Sequence, residues 1–348
     1  MKLRVAILYQ TKAPPVVDGI VKPMKEGGYS DSGADIALAL VHNEIKVITP
    51  VDSANEETDL DWVFPDTEKG IETAIFKGAN TFWLNTVLYA GHPILKFKDR
   101  KLLLVGQDPE SVQRFDNKFY TNSLLREKPF PVPRSILLGL DDESKLTLKF
   151  PLVLKPVRGR GSQGVIVVYN KQELNNGLKN IIFSKIFGNR LMVEEFLPGR
   201  EITISIMPPG RYLINGLIEN RRSHWALPAV ERVNHINEVA PYNGVVAVVN
   251  NSRLLSIDEL RSREVIEISK KCQMAGKLIG ARAPIRIDCR KNNIGEYQLF
   301  DLNMKPNMTG ASRSHRSDQD SLTMIAARGI GWNYPELIKN IISLRWEL

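Results

Sequence analysis

Phe150-Pro151-Leu152-Val153-Leu154-Lys155-Pro156 runs directly into Val157-Arg158-Gly159-Arg160-Gly161-Ser162-Gln163-Gly164 and then Val165-Ile166-Val167-Val168-Tyr169. An apolar run ending in lysine, a glycine-rich loop and a second apolar run read as strand, hairpin loop, strand. Backbone N–H groups in such a loop can converge on phosphate oxygens. Arg158, Arg160 and Ser162 add side-chain donors. The loop is not a Walker A element, because no Gly-Lys-Ser/Thr opens a helix. It is not a dinucleotide fingerprint either, because a strand follows instead of a helix. Taken alone, the segment reads equally well as a hairpin tip with solvated arginines.

Working toward the C-terminus, Pro284–Arg290 and Glu296–Asn303 read as two strands joined by the turn 291–295. Side chains alternate along a strand, so Arg286 and Asp288 share one face, and Asp301 and Asn303 share one face. Folded as a hairpin, all four can point to the same side. Ile285, Ile287, Cys289, Leu299, Phe300 and Leu302 then supply the buried remainder. Two carboxylates and a carboxamide are hard oxygen donors suited to Mg²⁺, and a cation there would polarise a phosphate. A solvated sheet face with a surface Arg–Asp pair is the plainer reading of either strand by itself. Between loop and hairpin, Met192-Val193-Glu194-Glu195-Phe196-Leu197 leads through Pro198-Gly199-Arg200 to Glu201 and the run Ile202–Met207. This connector can offer backbone groups to an adenine edge and a carboxylate to ribose hydroxyls, although taken alone it reads first as a surface hairpin.

Toward the N-terminus the pattern alternates. Val5–Tyr9, Ile45–Thr49, Thr81–Leu84 and Leu102–Val105 read as strands. Ser30–Leu40 reads as an N-capped helix and Lys69–Lys77 as another. This is the signature of a parallel α/β unit. One helix is expected over Pro109–Glu127, stopped by Pro129, Pro131 and Pro133. A long amphipathic helix is expected over Ile257–Ile279, and shorter ones near 321–328 and 335–343. The division read from these patterns is an N-terminal α/β domain over 1–110, a central β-rich lid over 111–200 and a C-terminal α+β domain with an antiparallel sheet over 201–348.

Composition narrows the classes. The chain has 348 residues, 43% of them apolar and 25% charged, which excludes a disordered chain and fits a globular one. Its two cysteines, Cys272 and Cys289, exclude a disulfide scaffold and read as free thiols in a reducing compartment. The net charge of +8 favours anionic partners, either nucleotides and small acids or nucleic acid. No apolar run reaches the roughly 18 residues of a membrane span, and the N-terminal run is too short for a signal peptide. A cytoplasmic protein is expected.

In this order the segments resemble the ATP-grasp superfamily, and within it the D-alanine–D-alanine ligases. Lys118 sits where that family has its first phosphate-contacting lysine, and Lys155-Pro156 matches the second. Glu194, Phe196 and Leu197 match the adenine-binding segment and Glu201 the ribose-binding acid. Asp288, Asp301 and Asn303 match the metal triad, and Arg286 the arginine that steadies the tetrahedral transition state. Ser321-Leu322 resembles the helix start beside the second substrate's carboxylate. Asn307 stands where a glycine lends its N–H to the developing oxyanion. The resemblance implies ATP, two Mg²⁺ ions with Mn²⁺ as an alternative, and phosphorylation of a carboxylate followed by amine attack. The implied partners are small carboxylate and amine substrates, amino acids above all, with neither nucleic acid nor membrane; a homodimer is left open. Arg158, Ser162 and the 159–164 glycines would close over the phosphates. Two readings compete: a genuine D-alanine–D-alanine ligase of cell-wall synthesis, and a non-catalytic nucleotide-binding regulatory protein on the same scaffold, against which the retained lysines and metal set argue.

Three departures point away from D-alanine. The family's glutamate two residues before the first helix's serine is Gly28 here. Pro306-Asn307-Met308-Thr309 replaces Pro-Gly-Met-Thr. Gly310–Asp320 is inserted before Ser321, with Arg313 and Arg316 as candidate anchors for an additional anionic group. In addition, Arg232–Gly244 replaces the family's flap, and Asp301 is one methylene shorter than the usual glutamate.

Overall fold

The computed structural model describes residues 2–348 except Val21, Arg160 and 241–246. Three sheets organise it, with a separate two-stranded hairpin of Gly210–Ile214 and Leu217–Arg221. The N-terminal sheet has the order Trp346–Glu347, Leu103–Val105, Thr81–Leu84, Arg4–Tyr9, Lys46–Val47, and Val63–Pro65 also pairs with Arg4–Tyr9. All pairings in it are parallel except that of Trp346–Glu347, the chain's last strand, which adds antiparallel to Leu103–Val105. Val5, Ala6, Ile7 and Leu8 are wholly buried, because a parallel sheet is covered on both faces and its strands become continuous apolar runs.

The central sheet is antiparallel, in the order Ser135–Leu138, Leu191–Glu195, Leu152–Pro156, Ile166–Val168. Helix Lys171–Phe183 covers it, and Leu152, Leu154, Leu174, Leu178, Leu191 and Val193 form a small core of their own. The third sheet is also antiparallel, in the order Ser252–Leu254, Val230–Arg232, Glu201–Met207, Ile285–Lys291, Tyr297–Asn303. The architecture is mixed α/β with parallel and antiparallel sheets, as the sequence pattern suggests.

Two expected helices are broken. Pro109–Glu127 forms Pro109–Phe115 and Lys118–Glu127, because Asn117 leaves the helical conformation and its side chain accepts the Tyr120 N–H as an N-cap. Ile257–Ile279 forms Ile257–Arg261 and Arg263–Leu278, with Ser262 extended between them. Helix Ser30–His42 is not capped by its leading serine. Tyr29 occupies the N-cap at φ 71° with no side-chain cap, and Ser32 instead donates back to the Tyr29 carbonyl. Phe300, expected in the buried remainder, is only partly buried for a reason given below.

The insertion before Ser321 is bolted to the first helix. Arg313 is buried and donates to Asp35 Oδ1 at 2.8 Å, to Asp59 Oδ1 at 2.6 Å and to the Asp31 carbonyl at 2.9 Å. Thr309 Oγ1 donates to Asp35 Oδ2 at 2.6 Å, and Arg316 Nε reaches Asp35 Oδ1 at 3.1 Å. Next to this cluster, Gly310 lies under the Tyr334 ring, and a Cβ there would come within 2.1 Å of it.

Removing one member of such a fully buried pair leaves an uncompensated charge and costs about 3–5 kcal/mol. Asp35→Ala is therefore expected to lower unfolding stability by about that amount in urea titrations. The double replacement Asp35→Leu with Arg313→Met is expected to recover most of the loss. Equal stabilities for Asp35→Ala and wild type would refute the charge-pair account.

Candidate active site

The antiparallel register sets the site. Arg286 lies opposite Asn303 and Asp288 opposite Asp301, so all four side chains sit on one sheet face, as the alternation predicts. One step further the register slips. Cys289 pairs with Leu299, which leaves Phe300 as the extra residue of a β-bulge. The bulge turns Phe300 out of the core expected for it. Its carbonyl accepts from Lys155 Nζ at 3.2 Å, and its ring lies 5.7 Å from that ammonium.

Both expected lysines arrive at this face. Lys118 occupies the first position of its helix, and its N–H donates to the Val157 carbonyl at 2.8 Å. Its Nζ pairs with Asp301. Lys155, the last-but-one residue of its strand, pairs with Glu194 on the adjacent strand. Asp288 accepts from Thr203 Oγ1 at 2.7 Å and from Arg286 at 3.0 and 3.1 Å. Asn303 Oδ1 accepts the Lys305 N–H at 2.9 Å.

The electrostatics follow from burial opposed by partners. Burial pushes the Asp301 carboxyl up, but Lys118, Lys155 and Arg286 outweigh it and hold it below the usual carboxylate value. Burial pulls Lys118 down, and Asp301 more than restores it. For Glu194 burial prevails over Lys155, and its carboxyl is raised. Glu194 Oε2 is buried without a hydrogen-bond partner. Asp288, Asp301 and Asn303 form a hard oxygen donor set that suits a divalent cation such as Mg²⁺. Among the described residues no cluster of three or more His, Cys, Asp or Glu side chains is placed to hold a metal.

The segment expected to meet a nucleotide brings some of its residues together. Leu197 is buried, and the Phe196 ring stacks under Arg290 at 5.2 Å. Glu201 is buried and meets His235 Nε2 at 2.9 Å. His235 belongs to the stretch that replaces the family flap; residues 241–244 of that stretch lie outside the described residues. Other expected residues are placed differently. Arg158 is buried and donates to the Gln113 carbonyl at 2.6 Å and to Asp18 at 3.1 Å. Ser162 is exposed and donates to the Ala240 carbonyl at 3.3 Å. Arg160 lies outside the described residues. Ser321 caps helix Leu322–Arg328 by accepting the Met324 N–H. Asn307 keeps a buried Oδ1 without a partner.

Of the two arginines suggested for an additional anion, Arg313 is excluded. It is 1% exposed and saturated by Asp35 and Asp59. Arg316 does line a cleft, but it is already paired with Asp31 and Asp35. Gly28 has φ +57°, and a Cβ there would stand 1.8 Å from the Gln10 carbonyl oxygen. No side chain, and so no glutamate, fits at that position.

Thr203 and Asp35 escape sequence reading. Thr203 carried a period-2 signal, since it alternates with buried Ile202 and Ile204 and so faces the same way as Glu201. Asp35 carried none, because its partners lie 274 and 278 residues away.

Comparison with known proteins places the chain among relatives. The family described as "D-ala D-ala ligase C-terminus" matches residues 139–343. The D-alanine–D-alanine ligase of Carboxydothermus hydrogenoformans is 28% identical over 242 residues, covering 66% of this chain and 69% of that one. The Bacillus anthracis D-alanine–D-alanine ligase complexed with ATP superposes with a TM-score of 0.65 at 17% identity, over 98% of this chain and 96% of that one. The VanG D-Ala:D-Ser ligase of Enterococcus faecalis gives 0.67 at 16% identity over 99% of each chain.

Asp301 has its folded-state value below the unfolded 3.8. Its ionised form thus contributes stability that is present above 3.8 and is lost as pH falls through the lowered value. The stability gap between wild type and Asp301→Asn, read from urea denaturation, is expected to be full near neutrality and to narrow only in acid below 3.8. A gap that stays constant through acid would contradict the ion-pair assignment.

Proposed function

Because this chain belongs to the D-alanine–D-alanine ligase family and is therefore an ATP-grasp enzyme that forms a carbon–nitrogen bond, we propose that it joins a small carboxylate to an amine other than as a D-alanine pair. The observation that carries the ligase chemistry is the convergence of Lys118, Lys155, Arg286, Asp288, Asp301 and Asn303 on one sheet face. In the reaction, a substrate carboxylate oxygen attacks the γ-phosphorus of ATP and ADP leaves. The amine nitrogen then attacks the acyl carbon, phosphate leaves with the bonding electrons, and the nitrogen gives up a proton.

Each residue has a role in that scheme. Lys118 and Lys155 neutralise phosphate charge. Before nucleotide binds, Asp301 and Glu194 hold these ammonium groups in place. Glu194 Oε2 is the free acceptor for a nucleobase amino group, and Glu201 is the carboxylate for ribose hydroxyls. Asp288, Asp301 and Asn303 would hold Mg²⁺, which when bound offsets the charge of the transferring phosphoryl group. Arg286 and the Asn307 backbone N–H stabilise the tetrahedral oxyanion. Ser321, at the start of its helix, orients the second substrate, and Ser162 and the neighbouring glycines exclude water from the acyl phosphate.

Substrate choice rests on Gly28. The carboxylate that would hold a D-alanine ammonium is missing, and the Gln10 carbonyl bars any replacement. Such a charge-assisted hydrogen bond is worth roughly 1.5–3 kcal/mol, a loss of about 10- to 150-fold.

A screen for ADP release with amino-acid pairs and Mg²⁺ tests the reading. D-Alanine alone is expected to be a poor substrate, and efficient D-alanyl-D-alanine synthesis would overturn that part. With the best pair, Asp301→Ala and Asn303→Ala are each expected to cut turnover at least about 100-fold. Near wild-type turnover in either variant would remove that residue from the metal set.

A further inference from the structure

Residues 234–240, in the stretch that replaces the family flap, form a tight turn. Ile236 and Val239 exchange both backbone hydrogen bonds at 3.0 Å, and Asn237 and Glu238 at the tip have φ 48° and 65°. Two-residue turns with this backbone need positive φ at both central positions. Asparagine tolerates that conformation, whereas glutamate adopts it at a steric cost. Arg290 grips Glu238 there, donating to its carbonyl at 2.7 Å and to its carboxylate at 3.2 Å. The base of the turn is fixed separately, by Asn234 Nδ2 donating to the Asn250 carbonyl at 3.1 Å.

No residue from 234 to 240 is buried, and Ile236 is 55% exposed. A segment with so little apolar burial is held mainly by its polar contacts and opens at low cost. Those contacts fall on groups to which the ligase reading gives a nucleotide role. Glu238 meets Arg290, whose guanidinium lies 5.2 Å from the Phe196 ring of the adenine segment. His235 Nε2 meets Glu201 Oε2 at 2.9 Å. Glu201 is the decisive contact. Its side chain is 7% exposed against 20% for His235, so the imidazole stands on the solvent side of the pair. Facing a carboxylate oxygen, the imidazole nitrogen is the donor, and a ribose hydroxyl would be a donor to the same group.

We propose that the 234–240 turn is an autoinhibitory contact: His235 holds the Glu201 carboxylate, and the ribose hydroxyls of a nucleotide bind there by displacing it. The proposal rests on the reading of Glu201 as the ribose acid. Because His235 and Glu238 belong to one turn, the ribose end and the adenine end of the site are released together. Parting Glu238 from Arg290 also lets its backbone leave the left-handed region, so the strain in the turn favours release.

Calorimetric titration of the full chain with ADP and Mg²⁺ tests this, with 2′,3′-dideoxy-ADP as a second probe. His235→Ala is expected to bind ADP roughly 3- to 10-fold tighter than wild type. Glu238→Ala, which removes the carboxylate held by Arg290, is expected to shift affinity the same way and serves if His235→Ala does not fold. Dideoxy-ADP has no hydroxyl to take the freed carboxylate and is expected to gain less than about two-fold from either change. In a Glu201→Ala background, His235→Ala is expected to leave ADP affinity unchanged, because the contact it removes is already gone. Unchanged or weaker ADP binding by folded His235→Ala, or equal tightening for the two nucleotides, overturns the proposal. Glu201→Ala by itself separates the two readings. If it weakens ADP binding while His235→Ala does not tighten it, the turn is not inhibitory and the ribose assignment stands; if it leaves ADP affinity as in wild type, the ribose assignment fails and the proposal with it.

Discussion

The antiparallel register between Ile285–Lys291 and Tyr297–Asn303 is the constraint on which the site depends. It sets Asp288 across from Asp301 and Arg286 across from Asn303, and the bulge at Phe300 ends that arrangement after the second pair. A slip of one residue would turn all four side chains into the core. Like charges facing each other across a sheet are unfavourable. They are tolerated here because Thr203, Arg286 and Lys118 bind them from three different directions. The site thus sets its negative charge against the chain's own cations.

A second polar cluster fastens the loop beyond the hairpin to the first helix. Asp35 on the first helix gathers Thr309, Arg313 and Arg316 from the loop beyond the hairpin. Asp35 and Arg313 are wholly buried and each relies on charged partners, Arg313 also meeting Asp59 and Asp35 also meeting Arg316. Asn307 lies two residues before Thr309, and the Met308 carbonyl between them is held by the Tyr334 hydroxyl at 2.7 Å. The strap carrying the proposed oxyanion contact is therefore positioned from the N-terminal helix and the C-terminal helix together. Insertion of Gly310–Asp320 is what makes the linkage available, since it supplies both arginines.

Local patterns carried much of the sequence reading. Period-2 alternation was enough to put Arg286, Asp288, Asp301 and Asn303 on one face, because a strand leaves a side chain only two directions. Continuous apolar runs identified the parallel strands, because burial on both faces removes the alternation. The order of Lys118, Lys155, Glu194, Glu201 and the hairpin sufficed for the family. Helix breaks at Asn117 and Ser262 were harder to see, since each competes with an otherwise unbroken helical pattern through a single capping or extended residue.

Tertiary structure alone decided which charges face the cleft and which are spent on the fold. Arg313 and Arg316 look equivalent in sequence, three residues apart in one loop. Asp35 draws Arg313 wholly into the interior and leaves Arg316 at a cleft wall. Gly28 reads as the loss of a carboxylate, but only the close approach of the Gln10 carbonyl shows that no side chain could stand there. Phe300 and Gln10 are of the same kind, one expelled from the core by a bulge and the other buried with an acceptor unfilled. The physical reason is common to all four. Strand and helix periodicity is set by neighbours in the chain, whereas burial, pairing and steric closure are set by residues brought together across tens to hundreds of positions, and no local pattern encodes them.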